Sequence, residues 1–126
     1  MILLDTSALI DSLSGPKRSA AALRKAIERG ERILVPSLVL YEWLRGSRQG
    51  EELAAQEALF PRESALPFGP QEAVLAARLY GSVRRPRGRE LDLAIAACAL
   101  ARGAVLWTLN AGDFRDIPGL RTSSPG

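Results

Sequence analysis

Short apolar runs alternate with stretches of helical periodicity along this chain, and this order limits the fold more than any other feature. The runs at 1–5 (MILLD), 32–37 (RILVPS) and 104–110 (AVLWTLN) are rich in branched residues and bounded by breakers, which is typical of buried parallel strands. A short strand at 64–68 and an edge strand at 120–124 are also expected. The sequence therefore predicts an α/β fold with a central, mainly parallel β-sheet flanked by helices on both faces.

The helical stretches carry recognisable start and stop signals. Ser14 and Ser37 stand where helix N-caps are expected, Pro70 stands in a first turn, and Gly103 follows a last turn. No repeat, low-complexity segment or linker divides the 126 residues, so we expect one domain over 1–126. The predicted helices are 14–30, 37–47, 50–60, 69–85 and 90–103, the last so apolar around its circumference that it should be central.

The complete absence of histidine restricts the chemistry. Ser-His-Asp and Cys-His nucleophilic sites and histidine-containing zinc sites are excluded. The single cysteine, Cys98, lies among apolar residues with nothing basic adjacent to lower its pKa, which favours a buried thiol over a nucleophile. The apolar start lacks a basic n-region and is interrupted by Asp5, so it is neither a signal peptide nor a membrane span, and a cytoplasmic location is the default expectation.

Any hydrolytic chemistry must therefore use carboxylates, and four acids are placed for it. Asp5 ends the first strand, Asp113 lies in the loop after the strand at 104–110, Glu42 is in the second turn of its helix, and Asp92 is near the start of the apolar helix. Ligands gather outside the carboxyl ends of parallel strands. Each acid has a plain structural alternative: an N-cap for Asp5, a solvated helix position for Glu42, a favourable macrodipole contact for Asp92 and an Asx-turn for Asp113.

Four acids converging on one edge of a sheet would repel one another unless a cation neutralised them. Oxygen-only ligation suits Mg²⁺ or Mn²⁺, and such an ion lowers the pKa of bound water and stabilises a leaving oxygen on phosphorus. A histidine-free carboxylate site therefore points to phosphodiester hydrolysis. Asp11, in the same stretch as Asp5, has no such company and is expected at the surface.

Four phrases of the sequence together resemble the PIN-domain ribonucleases, specifically the VapC-like toxins of prokaryotic type II toxin–antitoxin systems. The phrases span essentially the whole chain, and their order and spacing are more specific than any one alone. They are LLDTSALI, PSLVLYEWLRG with Glu42, LDLAIAACALARG with Asp92, and VLWTLNAGDFRDIPGL near the end. The resemblance implies a magnesium-dependent endoribonuclease with a PIN fold that forms a homodimer and binds a small antitoxin protein.

Carried over by position, the resemblance assigns Asp5, Glu42 and Asp92 to the acidic positions of the motif. Family members place the fourth acid where either Asn110 or Asp113 stands, and Asp113 is chosen with Asn110 as a neutral ligand or water-orienting amide. Asp5 and Asp92 are expected to hold the metal, while Glu42 and Asp113 hold a second ion, its waters or the attacking water. The small hydroxyl positions that support the acids and bound water match Thr6 or Ser7, and Thr108.

Charge distribution bears on the substrate more than the formal net charge of +3. Setting the four candidate acids aside leaves 10 acidic and 17 basic residues, so the remaining surface carries +7. Four arginines are packed into RRPRGR, directly before Asp92: Arg84, Arg85, Arg87 and Arg89. Their contacts with phosphates would dock an RNA backbone beside the metal without reading its sequence, although a solvated loop explains this run of arginines equally well.

Other readings of the first aspartate fit less well. A haloacid-dehalogenase-type phosphatase needs a second acid where Ser7 stands, a receiver domain needs an acidic pair, and no phosphate-binding glycine loop is present. A catalytically silent PIN-like module that binds RNA or protein remains the alternative to a nuclease.

Overall fold

A four-stranded parallel sheet organises the fold. The computed structural model describes residues 1–125. The strands pair in the order β2-β1-β3-β4, so the first strand of the chain lies inside the sheet and β4 forms an edge. Their bounds are β1 (Ile2–Leu4), β2 (Ile33–Leu34), β3 (Val105–Trp107) and β4 (Thr122–Ser123).

Both faces of the sheet are covered. Successive side chains of a strand point to opposite faces, and Ile2, Leu3 and Leu4 are all buried, as are Leu106 and Trp107 of β3. Fully buried parallel strands need helices on each side. The α/β fold with a parallel central sheet is thereby confirmed.

Six α-helices within residues 1–125 surround the sheet. α1 and α2 connect β1 to the parallel strand β2, which gives the expected βαβ unit. α1 packs against α2 and α3, α3 against α6, and α6 against α5. Among residues 1–125, no helix combines the length and apolar character needed to cross a membrane. The helices are α1 (Thr6–Leu13), α2 (Ala20–Glu28), α3 (Ser37–Arg45), α4 (Gly50–Leu59), α5 (Pro70–Ser82) and α6 (Glu90–Arg102).

α6 is the central helix, as predicted. All seven residues from Leu93 to Ala99 are buried, and the helix ends at Gly103, whose φ of 64° lies in the left-handed region that glycine tolerates best. Cys98 is among the buried residues, and burial raises the pKa of its thiol to about 11. The prediction of a buried, unreactive cysteine is consistent with this setting.

Three local predictions are wrong. Ser14 ends α1 with its N–H on the Ile10 carbonyl, so the predicted helix at 14–30 begins only at Ala20. Ser37 is the first residue of α3 and not its side-chain cap, because the extended Pro36 occupies the N-cap position. The strand predicted at 64–68 is reduced to an isolated bridge between Leu66 and Pro36.

Candidate carboxylate site for a metal ion

Asp5 leaves β1 at the carboxyl edge of the sheet and caps α1. Its N–H still pairs with the Trp107 carbonyl of β3 at 3.0 Å, while its Oδ1 accepts from the Ala8 N–H at 2.8 Å and the Ser7 hydroxyl at 2.7 Å. Burial raises the pKa of Asp5, and hydrogen bonds from Thr108, Ser7 and the backbone partly oppose that rise. The N-cap role considered for Asp5 is confirmed, and it coexists with a position on the edge where a ligand could bind.

Glu42 reaches the same edge from α3. The Thr6 hydroxyl donates to Glu42 Oε1, and Arg45, one turn further along α3, donates to Oε2 at 3.3 Å. The Glu42 side chain is only 16% exposed. Because α1 and α3 pack together, the Thr6 hydroxyl holds the Glu42 carboxylate near Asp5. Glu42 is therefore not a solvated helix residue.

Asp92 shows that the four acids are electrostatic neighbours. It is the third residue of α6 and is partly buried. Burial raises its pKa most, followed by the negative charges of Asp113, Glu42 and Asp5, while Arg89 lowers it. An acid in the first turn of a helix is ordinarily stabilised by the macrodipole, so at Asp92 burial and crowding outweigh that effect.

The segment after β3 completes the edge. The Asn110 N–H donates to the Thr108 hydroxyl oxygen at 2.9 Å, and its carbonyl accepts from the Asp113 N–H at 2.9 Å as the chain enters a 3₁₀ turn, Ala111–Phe114. Thr108 is buried, whereas Asn110 and Asp113 are exposed. Among the acids acting on Asp92, Asp113 has the largest effect. The structure therefore places the carboxylate of Asp113, rather than only the amide of Asn110, within electrostatic reach of Asp92.

The donor chemistry of the site fits a hard divalent cation. Within residues 1–125, no three acidic, histidine or cysteine side chains are grouped tightly enough to enclose an ion by themselves. Mg²⁺, however, usually binds through one or two carboxylates and keeps several waters. Asp92 and the three carboxylates that raise its pKa supply both the oxygen ligands and the uncompensated negative charge for such an ion.

Three of the four predicted arginines line one cleft, and the fourth does not. Arg84, Arg85 and Arg89 line an open cleft of about 680 Å³ that also includes Asp113 and Arg115. Arg89 donates to both carboxylate oxygens of Asp116, at 2.9 and 2.7 Å, and to the Asp113 carbonyl at 2.8 Å. Arg87 is exposed and does not line this cleft.

Two features of the site escaped the sequence prediction. Asp11 is not a surface residue, because its carboxylate is buried, 2.6 Å from the Ser19 hydroxyl and 3.4 Å from Arg18 Nε. Arg115 joins the arginine cleft although it lies far along the chain from Arg84 and Arg85. The signal for Asp11 was the serine eight residues later, but only the turn between α1 and α2 brings the two together.

Comparisons with known proteins place the chain in a family. The model of the PIN domain matches residues 2–120. The chain belongs to the PIN-domain family. Ribonuclease VapC19 of Mycobacterium tuberculosis is 36% identical over 123 residues, which are 96% of this chain and 98% of that protein.

Solved structures agree with this assignment. The DNA-bound VapBC structure from Salmonella typhimurium has a TM-score of 0.82 at 25% identity, covering 99% of this chain and 98% of that chain. VapBC-1 from nontypeable Haemophilus influenzae has a TM-score of 0.74 at 25% identity, covering 98% of each chain. The family and fold expected from the four sequence phrases are confirmed.

Proposed function

We propose that this chain is a metal-dependent endoribonuclease that hydrolyses RNA phosphodiester bonds as the toxin of a type II toxin–antitoxin pair. The observation that carries the proposal is the convergence of Asp5, Glu42 and Asp113 on Asp92, whose pKa they raise. The similarity to a protein named Ribonuclease VapC19 supports the same activity. The proposed cofactor is Mg²⁺, with Mn²⁺ as a substitute, because the site offers only oxygen ligands.

We assign Asp5 and Asp92 to the metal, and Glu42 and Asp113 to a second ion, its waters or the attacking water. When bound, Mg²⁺ would lower the pKa of a coordinated water and stabilise negative charge on the phosphate oxygens. Capping by the Ala8 N–H fixes the direction of the Asp5 carboxylate.

The supporting roles fall to side chains that hold the acids. The Ser7 hydroxyl donates to Asp5 while its oxygen accepts from the Leu109 N–H at 3.0 Å, and the Thr6 hydroxyl donates to Glu42. The Thr108 side chain hydrogen-bonds to Asp5 and lowers its pKa, and the Thr108 hydroxyl oxygen accepts from the Asn110 N–H. These hydroxyls would keep the carboxylates aimed at the edge of the sheet, with Asn110 as a neutral ligand or a water-orienting amide.

The RNA backbone would be docked by the arginines before α6. Arg84 and Arg85 line the cleft that contains Asp113, so phosphate contacts there lie next to the reacting bond. Arg87 is assigned to more distant phosphate contacts. Arg89 would act mainly by holding the 3₁₀ turn through the Asp113 carbonyl, since its guanidinium is already engaged there and with Asp116.

The partners follow from the same family. We propose that the chain works in the cytoplasm as a single PIN domain over 1–126, forms a homodimer and is bound by a cognate antitoxin protein. The similarity to VapBC structures from Salmonella typhimurium and Haemophilus influenzae supports an antitoxin partner.

A catalytically silent module is the second candidate. The observation that favours it is that no three ligating side chains within residues 1–125 are grouped around one point. Such a module would bind RNA or protein without cutting.

Cleavage assays separate the two candidates. Antitoxin-free chain is incubated with single-stranded and stem–loop RNA in Mg²⁺, in Mn²⁺ and in EDTA. We expect cleavage only with metal, and its loss in Asp5→Asn and Glu42→Gln. Glu63→Gln is the matched control, because Glu63 is an exposed acid on the 3₁₀ turn Arg62–Ser64. RNA binding without metal-dependent cleavage would instead establish the silent module, and mapping of cut sites on total cellular RNA would identify the target.

A further inference from the structure

A second cleft lies beside the carboxylate site and shares no lining residue with the arginine cleft. It has a volume of about 400 Å³ and lies between α1, the loop at 14–19 and the residue after Thr108. Its walls include Ser7, Ile10, Pro16, Arg18 and Leu109. Neither the sequence motifs nor the comparisons assign a role to it.

Ser7 joins this cleft to the acids. Its hydroxyl donates to Asp5 Oδ1 at 2.7 Å and accepts from the Leu109 N–H at 3.0 Å. One side chain is therefore both a wall of the cleft and a contact of the acid assigned to the metal. A phosphate bound beside Asp5 would therefore be one side chain away from this cleft.

The loop that carries Arg18 is held in a fixed conformation. The buried Asp11 accepts from the Ser19 hydroxyl at 2.6 Å, and its carbonyl accepts from the Ser19 N–H at 3.2 Å. Lys17 has a φ of 55° and is the single non-glycine residue with a positive φ within 1–125. Such strained backbone persists where its surroundings enforce it, and it concentrates at functional sites.

Arg18 offers a phosphate-binding group at this position. Its side chain is 76% exposed, and its contact with Asp11 uses Nε at a long 3.4 Å. Within residues 1–125, neither terminal nitrogen of the guanidinium has a hydrogen-bond partner, so the two can donate a bidentate pair to phosphate oxygens.

Part of the remaining wall, which also includes Asp11, Ser14 and Gly15, offers apolar contact to a nucleobase. Ile10, Pro16 and Leu109 are apolar, and Leu109 is 42% exposed. This apolar surface can contact the base of a nucleotide, and the adjacent Arg18 guanidinium can contact its phosphate.

We propose that this cleft binds the RNA nucleotide adjacent to the scissile phosphate, with Arg18 contacting the backbone phosphate and Leu109 contacting the base. The inference rests on the proposed endonuclease function. An endonuclease holds its strand on both sides of the bond that it cuts. The arginine cleft beside Asp113 provides one side, and the Arg18 cleft beside Ser7 provides the other.

The test measures RNA binding and cleavage separately. Binding of a labelled single-stranded RNA is followed by fluorescence anisotropy in the Asp5→Asn background, where the RNA survives. Adding Arg18→Ala should weaken binding about fivefold or more, the loss of one charged hydrogen-bonded contact, and should reduce the slope of log K against log salt by about 0.7. In the wild-type background, Arg18→Ala should raise KM and leave kcat nearly unchanged.

Arg29→Ala is the matched control, because Arg29 is an exposed arginine that lies in a groove with Met1 and Arg121, away from the acids. It should change neither binding nor KM. Circular dichroism should give the same Tm for Arg18→Ala as for wild type, since Asp11 keeps its bond to Ser19.

The outcomes distinguish this inference from the proposed function. Equal RNA affinity with and without Arg18, in a chain that cleaves RNA, overturns the cleft assignment and leaves the nuclease standing. Weaker RNA binding in Arg18→Ala, with no metal-dependent cleavage by wild type, supports an RNA-binding cleft and overturns the nuclease. If Arg18→Ala weakens binding of an antitoxin peptide but not of RNA, the cleft is a protein site and the inference is wrong.

Discussion

Asp5 has two roles that substitution can separate. As the N-cap of α1 it accepts the Ala8 N–H at 2.8 Å, and as a proposed metal ligand it must carry a negative charge. Asparagine keeps an oxygen that can cap the helix but loses the charge, whereas alanine loses both. We therefore expect Asp5→Asn and Asp5→Ala to abolish metal-dependent RNA cleavage alike, and only Asp5→Ala to lose the stability that the cap contributes.

The size of the stability difference can be worked out. Loss of an N-cap costs about 1 kcal/mol. An unfolding entropy of roughly 2.1 cal/mol/K per residue, summed over a chain of this length, gives about 0.26 kcal/mol/K, so the Tm of Asp5→Ala should fall by about 4 °C. Asp5→Asn should melt near wild type, because it keeps the cap and removes the buried charge whose desolvation raises the pKa of Asp5.

Calorimetry in EDTA and cleavage in Mg²⁺ measure the two roles on the same protein samples. Wild-type cleavage rates in either variant would refute Asp5 as a metal ligand. Equal Tm values for the alanine and asparagine variants would refute a stabilising cap. Glu63→Gln, which removes an exposed acid outside the site, should match wild type in both assays.

Three further outcomes are expected. Mg²⁺ at 100 times its Kd should stabilise wild type by about 2.7 kcal/mol, measured by denaturant unfolding, and Asp92→Asn should lose most of this gain. In metal-free protein, the raised pKa of Asp92 means that the folded state binds this proton more tightly than the unfolded state, so the contribution of Asp92 to stability falls as pH rises from about 3.8 through the folded pKa. Asp92→Asn should therefore become progressively more stable than wild type over that pH range. A stability difference independent of pH would contradict the raised pKa that burial and the neighbouring acids cause. Asp11→Ala should lower the free energy of unfolding by about 1 to 3 kcal/mol, because the buried Ser19 hydroxyl loses its acceptor, and an unchanged Tm would show that the loop at 14–19 does not depend on this bond.

Features written in local sequence could be predicted. β1, β3 and α6 are continuous apolar segments, so their burial follows from composition and length alone. The position of Asp5 follows from β1, because a residue that ends a parallel strand must emerge at the carboxyl edge. The central position of α6 similarly placed Asp92 near its partners.

Features that the local residue pattern does not decide could not be predicted. Ser14 has the chemistry of an N-cap, but α1 extends to Leu13, so Ser14 is the C-cap of that helix. Asp11 looks solvated in sequence and is buried because the chain turns back and brings Ser19 to it. Arg89 belongs to a cationic run, yet it pairs with Asp116, 27 residues away. For Asp11 and Arg89 a contact with another segment overrode the local tendency, whereas for Ser14 the extension of α1 up to Leu13 did so.

The distribution of charge around the site sets the order in which its ligands can bind. The edge of the sheet carries four acids, and the positive groups close to them, Arg45 on Glu42 and Arg89 on Asp116, are already engaged. The remaining cleft arginines lie to the sides, with Arg84, Arg85 and Arg115 in one cleft and Arg18 in the other. A polyanion can be held by these flanks, but its scissile phosphate is repelled by the edge until a cation lies there. Metal and RNA binding are therefore expected to strengthen each other by the same factor, since each supplies the charge that the other lacks.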